Sequence, residues 1–383
     1  MASYFRPFES PQPPGIRGAN SKSYNMYLRL VLAVVGSIGI LTLCETKLLA
    51  APENFNPGLQ PPPPKPKLKP TENTTPSTSS EALKPLGELE NIQTDFRNET
   101  DNFGQQNLFI EPTAQFRLNN GNKIKFKTGI NYFDQRSVKP ITNIPFQLGW
   151  QGKIGEVTLQ TAAGIDIFDR LTPAINFNAR AETPITPTKV SPDGKLLSAV
   201  ILSANLQQAP YKFNAQTLEN QITAWRYGPD LYWQIDRNTS LFSSLRLGNY
   251  NDGNSEVQSF SRLERKIGQF FVAANLFTWN YADDFERKSG YFSPQDFLVY
   301  NAEAGWEGDV TKFLKCRLAA NLGRQRLKGE FDNANTYQAR CTVKLSPNIE
   351  TDLGYNFSNV RNLDTGASAY NSNSITGQLR VKF

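Results

Sequence analysis

From Asn107 to Phe383 the chain alternates apolar and polar residues in segments of about 9 to 14, separated by turn residues. Ile124, Phe126, Thr128, Ile130 and Tyr132 stand against Lys123, Lys125, Lys127 and Asn131. Val157, Leu159, Thr161, Ala163 and Ile165 stand against Glu156, Thr158, Gln160 and Asp166, and the same two-residue period recurs over Leu298–Trp306, Leu314–Leu322 and Tyr337–Leu345. No stretch with a 3.6-residue period interrupts them. A period of two puts one set of side chains on each face of a strand, so each segment reads as a strand with one greasy and one wet face.

About sixteen such strands are predicted, with the count open by two between Ile167 and Thr217, where the pattern is less regular. Soluble strands average about 5 to 6 residues, whereas a tilted membrane crossing takes about 9 to 11. An open sheet of this size would leave two unpaired edges, which closure removes. The fold class expected is therefore all-β: a transmembrane antiparallel up-and-down β-barrel over residues 107–383. The last strand supports it, because Ile375, Gly377, Leu379, Val381 and Phe383 alternate with Thr376, Gln378, Arg380 and Lys382. A terminal strand that ends on Phe resembles the closing strand of bacterial outer-membrane barrels. From Arg237 onward the connections alternate short and long, which predicts short periplasmic turns on the side of Phe383 and longer loops outside. A soluble β-sandwich held by an N-terminal anchor is the competing architecture.

The N-terminal part reads differently. Leu30 to Cys44 is an uninterrupted apolar and small run after a basic, polar stretch, so residues 1–50 are expected to be a signal peptide, or an N-terminal anchor if uncleaved. Residues 51–106 lose hydrophobicity and contain the run Pro61–Pro64 followed by alternating Lys and Pro to Pro70. They are expected to form a proline-rich periplasmic linker, either disordered or stiffened as a basic spacer that touches the cell wall.

Composition narrows the chemistry. There is no histidine among the 383 residues, which removes Ser-His-Asp and Cys-His sites and histidine-ligated metals. No enzyme activity, cofactor, metal or nucleic-acid partner is expected. The 41 Lys+Arg against 35 Asp+Glu matter only where they are concentrated. If the first and last strands pair on closure, Arg117, Lys123, Lys125 and Lys127 come beside Arg380 and Lys382, with Lys315, Arg317, Arg340 and Lys344 a few strands away. Such a wall would select an anionic solute unless lumenal carboxylates pair it. The strand Gln269 to Tyr281 presents Phe271, Phe277, Trp279 and Tyr281 on its inner face, either to slide along sugar rings or to pack as a plug. Cys316 and Cys341 share the lipid-side face of adjacent strands, as a disulfide or as two small apolar residues, although the centre of the intervening loop sets Cys316 nearer to Leu345.

Gly290-Tyr291-Phe292-Ser293-Pro294-Gln295 resembles a hexapeptide at the start of a late barrel strand in the cellulose-synthase operon protein C family. Ser203 to Pro210 is a weaker echo. The resemblance implies an exopolysaccharide-export barrel, without the helical repeats that family members carry before it. Physically, Gly290 and Pro294 bracket a turn, with Tyr291 and Phe292 at the pore mouth or in an interfacial girdle. The expectation is an outer-membrane pore that exports a polysaccharide, anionic if the basic wall is free. Its partners would be outer-membrane lipid, the polymer, and a cell-wall or periplasmic export partner. The alternative is a non-conducting barrel tethered through its proline-rich segment.

Overall fold

The structure, a computed structural model, describes residues 87–136, 138–191, 196–363, 365 and 368–383. The leader and proline-run expectations lie outside these residues. The described chain forms one closed antiparallel barrel of sixteen strands. These are β1 (Gly87–Asp101), β2 (Gln106–Leu118), β3 (Lys123–Lys127, resumed at Ile130–Gln135), β4 (Val138–Ile154), β5 (Val157–Phe168), β6 (Ala174–Pro184), β7 (Leu196–Pro210) and β8 (Thr223–Gln234). They continue as β9 (Thr239–Tyr250), β10 (Ser255–Ile267), β11 (Phe270–Tyr281), β12 (Phe297–Thr311), β13 (Leu314–Leu327), β14 (Glu330–Lys344), β15 (Ile349–Asn362) and β16 (Ser368–Lys382). Two short helices sit in connections, α1 (Ala215–Glu219) and α2 (Glu286–Ser289).

The pattern along each strand explains the closed shape. Outward residues such as Phe126, Leu148, Ile175, Leu276, Leu318, Leu353 and Leu379 are exposed, while the inward Asn131, Arg262, Glu303 and Asn321 are buried. This inverts a soluble protein and suits a wall with hydrocarbon outside and polar groups within.

Three expectations need correction. Composition assigns residues 51–106 to the linker, yet Gly87–Asp101 is the first strand. It pairs with β16 from Asn91↔Lys382 to Asp101↔Ser372. Closure therefore inserts β1 between β2 and β16, and Arg117, Lys123, Lys125 and Lys127 are separated from Arg380 and Lys382 by that strand. A register irregularity between Leu89 and Asn91 breaks the two-residue period that would have revealed it.

The second correction concerns loop length. The rim that carries Gly87 and Phe383, here the terminal rim, has short turns from Arg237 onward, as the pattern predicts, but upstream it also carries the eleven-residue connection 185–195. At the far rim, however, β13 and β14 are joined by only Lys328 and Gly329, both with positive φ (53° and 82°), as a primed hairpin turn requires. The polar stretch that reads as a long loop is strand that continues beyond the apolar band. The third follows from it: this turn sets Cys316 opposite Cys341. Their sulfurs are joined, 2.12 Å apart, on the outward face.

The gap in β3 has a local cause. It falls opposite Pro112, which has no N–H to donate to the ladder, and Thr128 turns its own N–H to the Pro112 carbonyl at 3.1 Å.

Candidate functional site

Two far-rim connections fold into the barrel and meet. The first, residues 211–222, leaves β7 at Pro210. Its buried Asn214 caps α1, accepting from the Thr217 N–H at 2.7 Å and the Thr217 hydroxyl at 2.8 Å. Capping places Ala215 and Leu218 on one side of α1, where they pack against Phe109 of β2, Phe133 of β3 and Ile141 of β4. Gln105 and Asn107 donate to the Phe213 carbonyl at 3.0 and 2.9 Å, and Arg170 pairs with Glu219. The loop is thus tied to the β2–β4 wall.

The second connection, residues 282–296 between β11 and β12, carries the hexapeptide. Asn214 Nδ2 donates to the Gly290 carbonyl at 2.6 Å, and the Thr217 hydroxyl reaches the same oxygen at 3.1 Å. Together the loops make a bar from the β2–β4 wall to the β11–β12 wall.

Each hexapeptide residue has a part in this bar. Gly290 ends α2 in the left-handed region (φ 82°), and a Cβ there would stand 2.5 Å from Gln216 Cγ. Tyr291, fully buried, stacks on Tyr250 at 5.0 Å and donates to Asp252 at 3.0 Å. Phe292 meets Trp279 and Phe297 edge-on. Ser293 Oγ accepts from the Phe285 N–H, the Pro294 carbonyl from the Tyr281 N–H, and Gln295 donates to the Ala282 carbonyl. The motif lies inside the barrel mouth, away from any interfacial girdle.

This placement decides the aromatic strip. Phe271, Phe277, Trp279 and Tyr281 do lie on the inner face of β11, but all four are almost fully buried. Phe277, Trp279 and Tyr281 form one core with Tyr291 and Phe292, so they are packing for the bar and not a sliding surface. Trp279 donates to Glu256 at 2.7 Å, and Glu256 also holds Arg226. Tyr250 and Tyr211 both hydrogen-bond the Tyr281 hydroxyl. Burial pushes the Tyr211 hydroxyl up to about 12 and raises that of Tyr291, so both remain protonated at neutral pH.

The basic wall is partly compensated. Arg117 pairs with Glu90 at 2.6 Å, Lys123 with the same carboxylate, and Lys127 with Glu111 at 2.6 Å. Arg340 meets Asp352 and Arg380 meets Glu350. Arg317 touches Glu264, Glu303 and Glu307 and lies 3.6 Å over the Phe271 ring, while Lys315 takes the other oxygen of Glu307. Arg262, buried beside Glu264 and Glu303, completes a network on the lumen face of β10–β13. Lys125 reaches the Gln160 amide at 3.4 Å, and Lys344 and Lys382 are exposed at the terminal rim. One Glu90 carboxylate serves both Arg117 and Lys123, so pairing lowers the field this wall offers an anion without cancelling it. The anionic-solute expectation is weakened to that extent.

Two neighbouring cavities lie on the lumen side of the wall. A cavity of about 400 Å³ lies against the bar, bordered by Asn107, Gln147, Asn176, Gln207 and Gln258, by the rings of Tyr211, Phe213 and Trp279, and by the ion-paired Arg97, Glu99, Glu111, Lys127, Asp166, Lys212 and Arg226. A second, of about 290 Å³, shares Lys127 and Gln147 with it and is bordered by Asn91, Gln93, Gln115, Gln160 and Asn178. Amides offer both donors and acceptors. The sequence showed Asn and Gln on wet faces but gave no sign that they line one side of the lumen. Loop 211–222 was also missed, although Asn214 followed by Thr217 and the Ala215–Leu218 spacing is a capped-helix signal.

No protein-family model matches the chain, and no curated protein does. Among solved structures it is similar to a bacterial polysaccharide outer membrane secretin, at TM-score 0.61 and 10% identity, covering 77% of this chain and 98% of that one. CdiB from Acinetobacter baumannii aligns at TM-score 0.45 and 11% identity (76% and 60%), and Pseudomonas aeruginosa OpdQ at 0.42 and 9% (76% and 98%). The first of these likenesses, with the closed strand order, establishes the fold: an outer-membrane-type β-barrel.

Proposed function

We propose that this chain is an outer-membrane channel that exports a polysaccharide of low net charge, with its far mouth facing outward and barred at rest. The observation that carries the reading is the pair of lumenal cavities bordered by amides, the larger with its charges mutually paired and lying against the aromatic bar. Asn and Gln match sugar hydroxyls without demanding charge, and the partly exposed Tyr211 ring offers a face to a pyranose. The solved polysaccharide secretin of the same fold supports this substrate class, as does the hexapeptide resemblance to the cellulose-synthase operon protein C family. Residues 1–86 would deliver the barrel and tether it on the periplasmic side, within reach of the cell wall or an export partner.

Conductance of the full-length protein in planar bilayers, with oligosaccharides added on either side, tests the reading. Neutral gluco-oligosaccharides should block openings at lower concentration than oligouronates of equal length. Block by oligouronates alone would restore an anion-selective channel. The bonded bar favours one second reading, a permanently closed structural barrel, which predicts no openings even after the bar is cut.

A further inference from the structure

On the lipid-facing side of β13–β15 the apolar band ends in arginines. Along β13 the outward series runs Leu318, Ala320, Leu322 and then Arg324; along β15 it runs Tyr355, Phe357, Asn359 and then Arg361. The chain neighbours Gln325 and Val360 are buried in the lumen, which sets both arginines on the outer face, and both are exposed. Asn333 of β14 is the cross-strand partner of each, so their Cα atoms stand two strand spacings apart, about 9.5 Å. Two guanidinium groups at that separation can converge on one anion. Among the described residues neither has an ion pair or a side-chain hydrogen bond. Arg326 and Lys328, by contrast, face Asp296 and Asp284 at 3.8 and 3.2 Å.

Directly toward the terminal rim on the same strands lies an apolar groove of about 660 Å³. Small side chains (Ala304, Ala320, Ala339) form its floor, and Trp306 and Tyr337 stand beside it. Ala320 is four residues from Arg324, about 14 Å along a strand, close to half the hydrocarbon thickness of a bilayer. A cation pair with no ionic partner among the described residues, at the edge of a hydrocarbon-facing surface, is costly without an anion, and a lipid supplies one already joined to an acyl chain.

We infer that Arg324 and Arg361 bind the phosphate of an anionic outer-leaflet lipid whose acyl chain lies in the groove over Ala304, Ala320 and Ala339. This rests on the outer-membrane reading, with the far rim outward. Arginine suits the role because its planar fork takes two phosphate oxygens at once.

The test uses full-length protein extracted in neutral detergent and incubated with equal amounts of phosphatidylglycerol and phosphatidylcholine of the same chain length. Bound lipid is counted by native mass spectrometry. The natural sequence should retain phosphatidylglycerol over phosphatidylcholine by about tenfold, and R324Q/R361Q by about twofold or less. R324K/R361K, with charge but no fork, should lie between. R265Q, outward at the opposite rim, should leave the preference intact. A320W should fill the groove and lower retention of both lipids while keeping their ratio. An undiminished preference in R324Q/R361Q, or none in the natural sequence, overturns the site. The same samples are run on gels boiled and unboiled: a heat shift without lipid preference sinks the lipid site alone, and no heat shift sinks the membrane barrel with it.

Discussion

Asn214 ties the two halves of the bar, so its replacement by alanine is a selective way to open the mouth. Its buried amide gives one hydrogen bond to the Gly290 carbonyl (2.6 Å) and receives two from Thr217 (2.7 and 2.8 Å). Alanine deletes all three and removes the cap of α1. Each such bond contributes about 1 kcal/mol net, and a buried group left unpaired costs about 1–3 kcal/mol more. The Gly290 carbonyl keeps the Thr217 hydroxyl at 3.1 Å, which moderates the loss. A sum of about 3 kcal/mol follows, or about a hundredfold in the ratio of open to closed mouth. None of these atoms belongs to a strand. Single-channel recording of N214A should show openings about 10 to 100 times more frequent at unchanged unit conductance, and unboiled gel mobility should be retained. A folded N214A barrel that opens no more often would refute the bar as the closing element.

Three further perturbations bear on the same mouth. Gly290→Ala forces a side chain into a left-handed residue 2.5 Å from Gln216 Cγ, costing at least about 1–2 kcal/mol, and should raise open probability as N214A does. Trp279→Ala removes a fully buried ring and the donor to Glu256. It should cost about 3–5 kcal/mol and lower the temperature of the gel shift, whereas a change at the exposed Trp225 should have little effect. Glu286 of α2 has its carboxyl raised above 4.5 by burial and by neighbouring Asp284. A raised value in the folded state means its stabilisation is full at low pH and is lost as pH rises through that value. Openings should therefore become rarer on acidification, and E286Q should flatten that part of the pH profile.

The barrel was legible because its period of two survives over nearly every strand, and inside and outside came with it. β11 is the clearest case: Phe270, Val272, Ala274 and Leu276 face out, and Phe271, Phe277, Trp279 and Tyr281 face in. What the alternation could not convey was whether an inward ring meets water or a loop. Phe277 and Trp279 are covered by residues 282–296, a contact between strand and loop that no strand period encodes. The first strand stayed hidden for a local reason. Only Ile92 and Phe96 are large apolar residues after the irregularity near Leu89, so its composition is that of a linker. Ion pairing was equally invisible. Glu90 pairs with both Arg117 and Lys123 from within that unrecognised strand, and without it the wall reads as more basic than it is. Cys316 and Cys341 were placed on the right face, but their register depended on a two-residue turn at Lys328–Gly329 buried in a long polar stretch.

Everything above depends on a closed barrel that spans a membrane. Gel mobility of the full-length protein extracted from membranes, boiled against unboiled in SDS, measures that directly. The account predicts a compact, faster-migrating unboiled form that converts to the full apparent mass on heating. Identical mobility with and without boiling, from a protein that is recovered without detergent once Leu30 to Cys44 is removed, would contradict it.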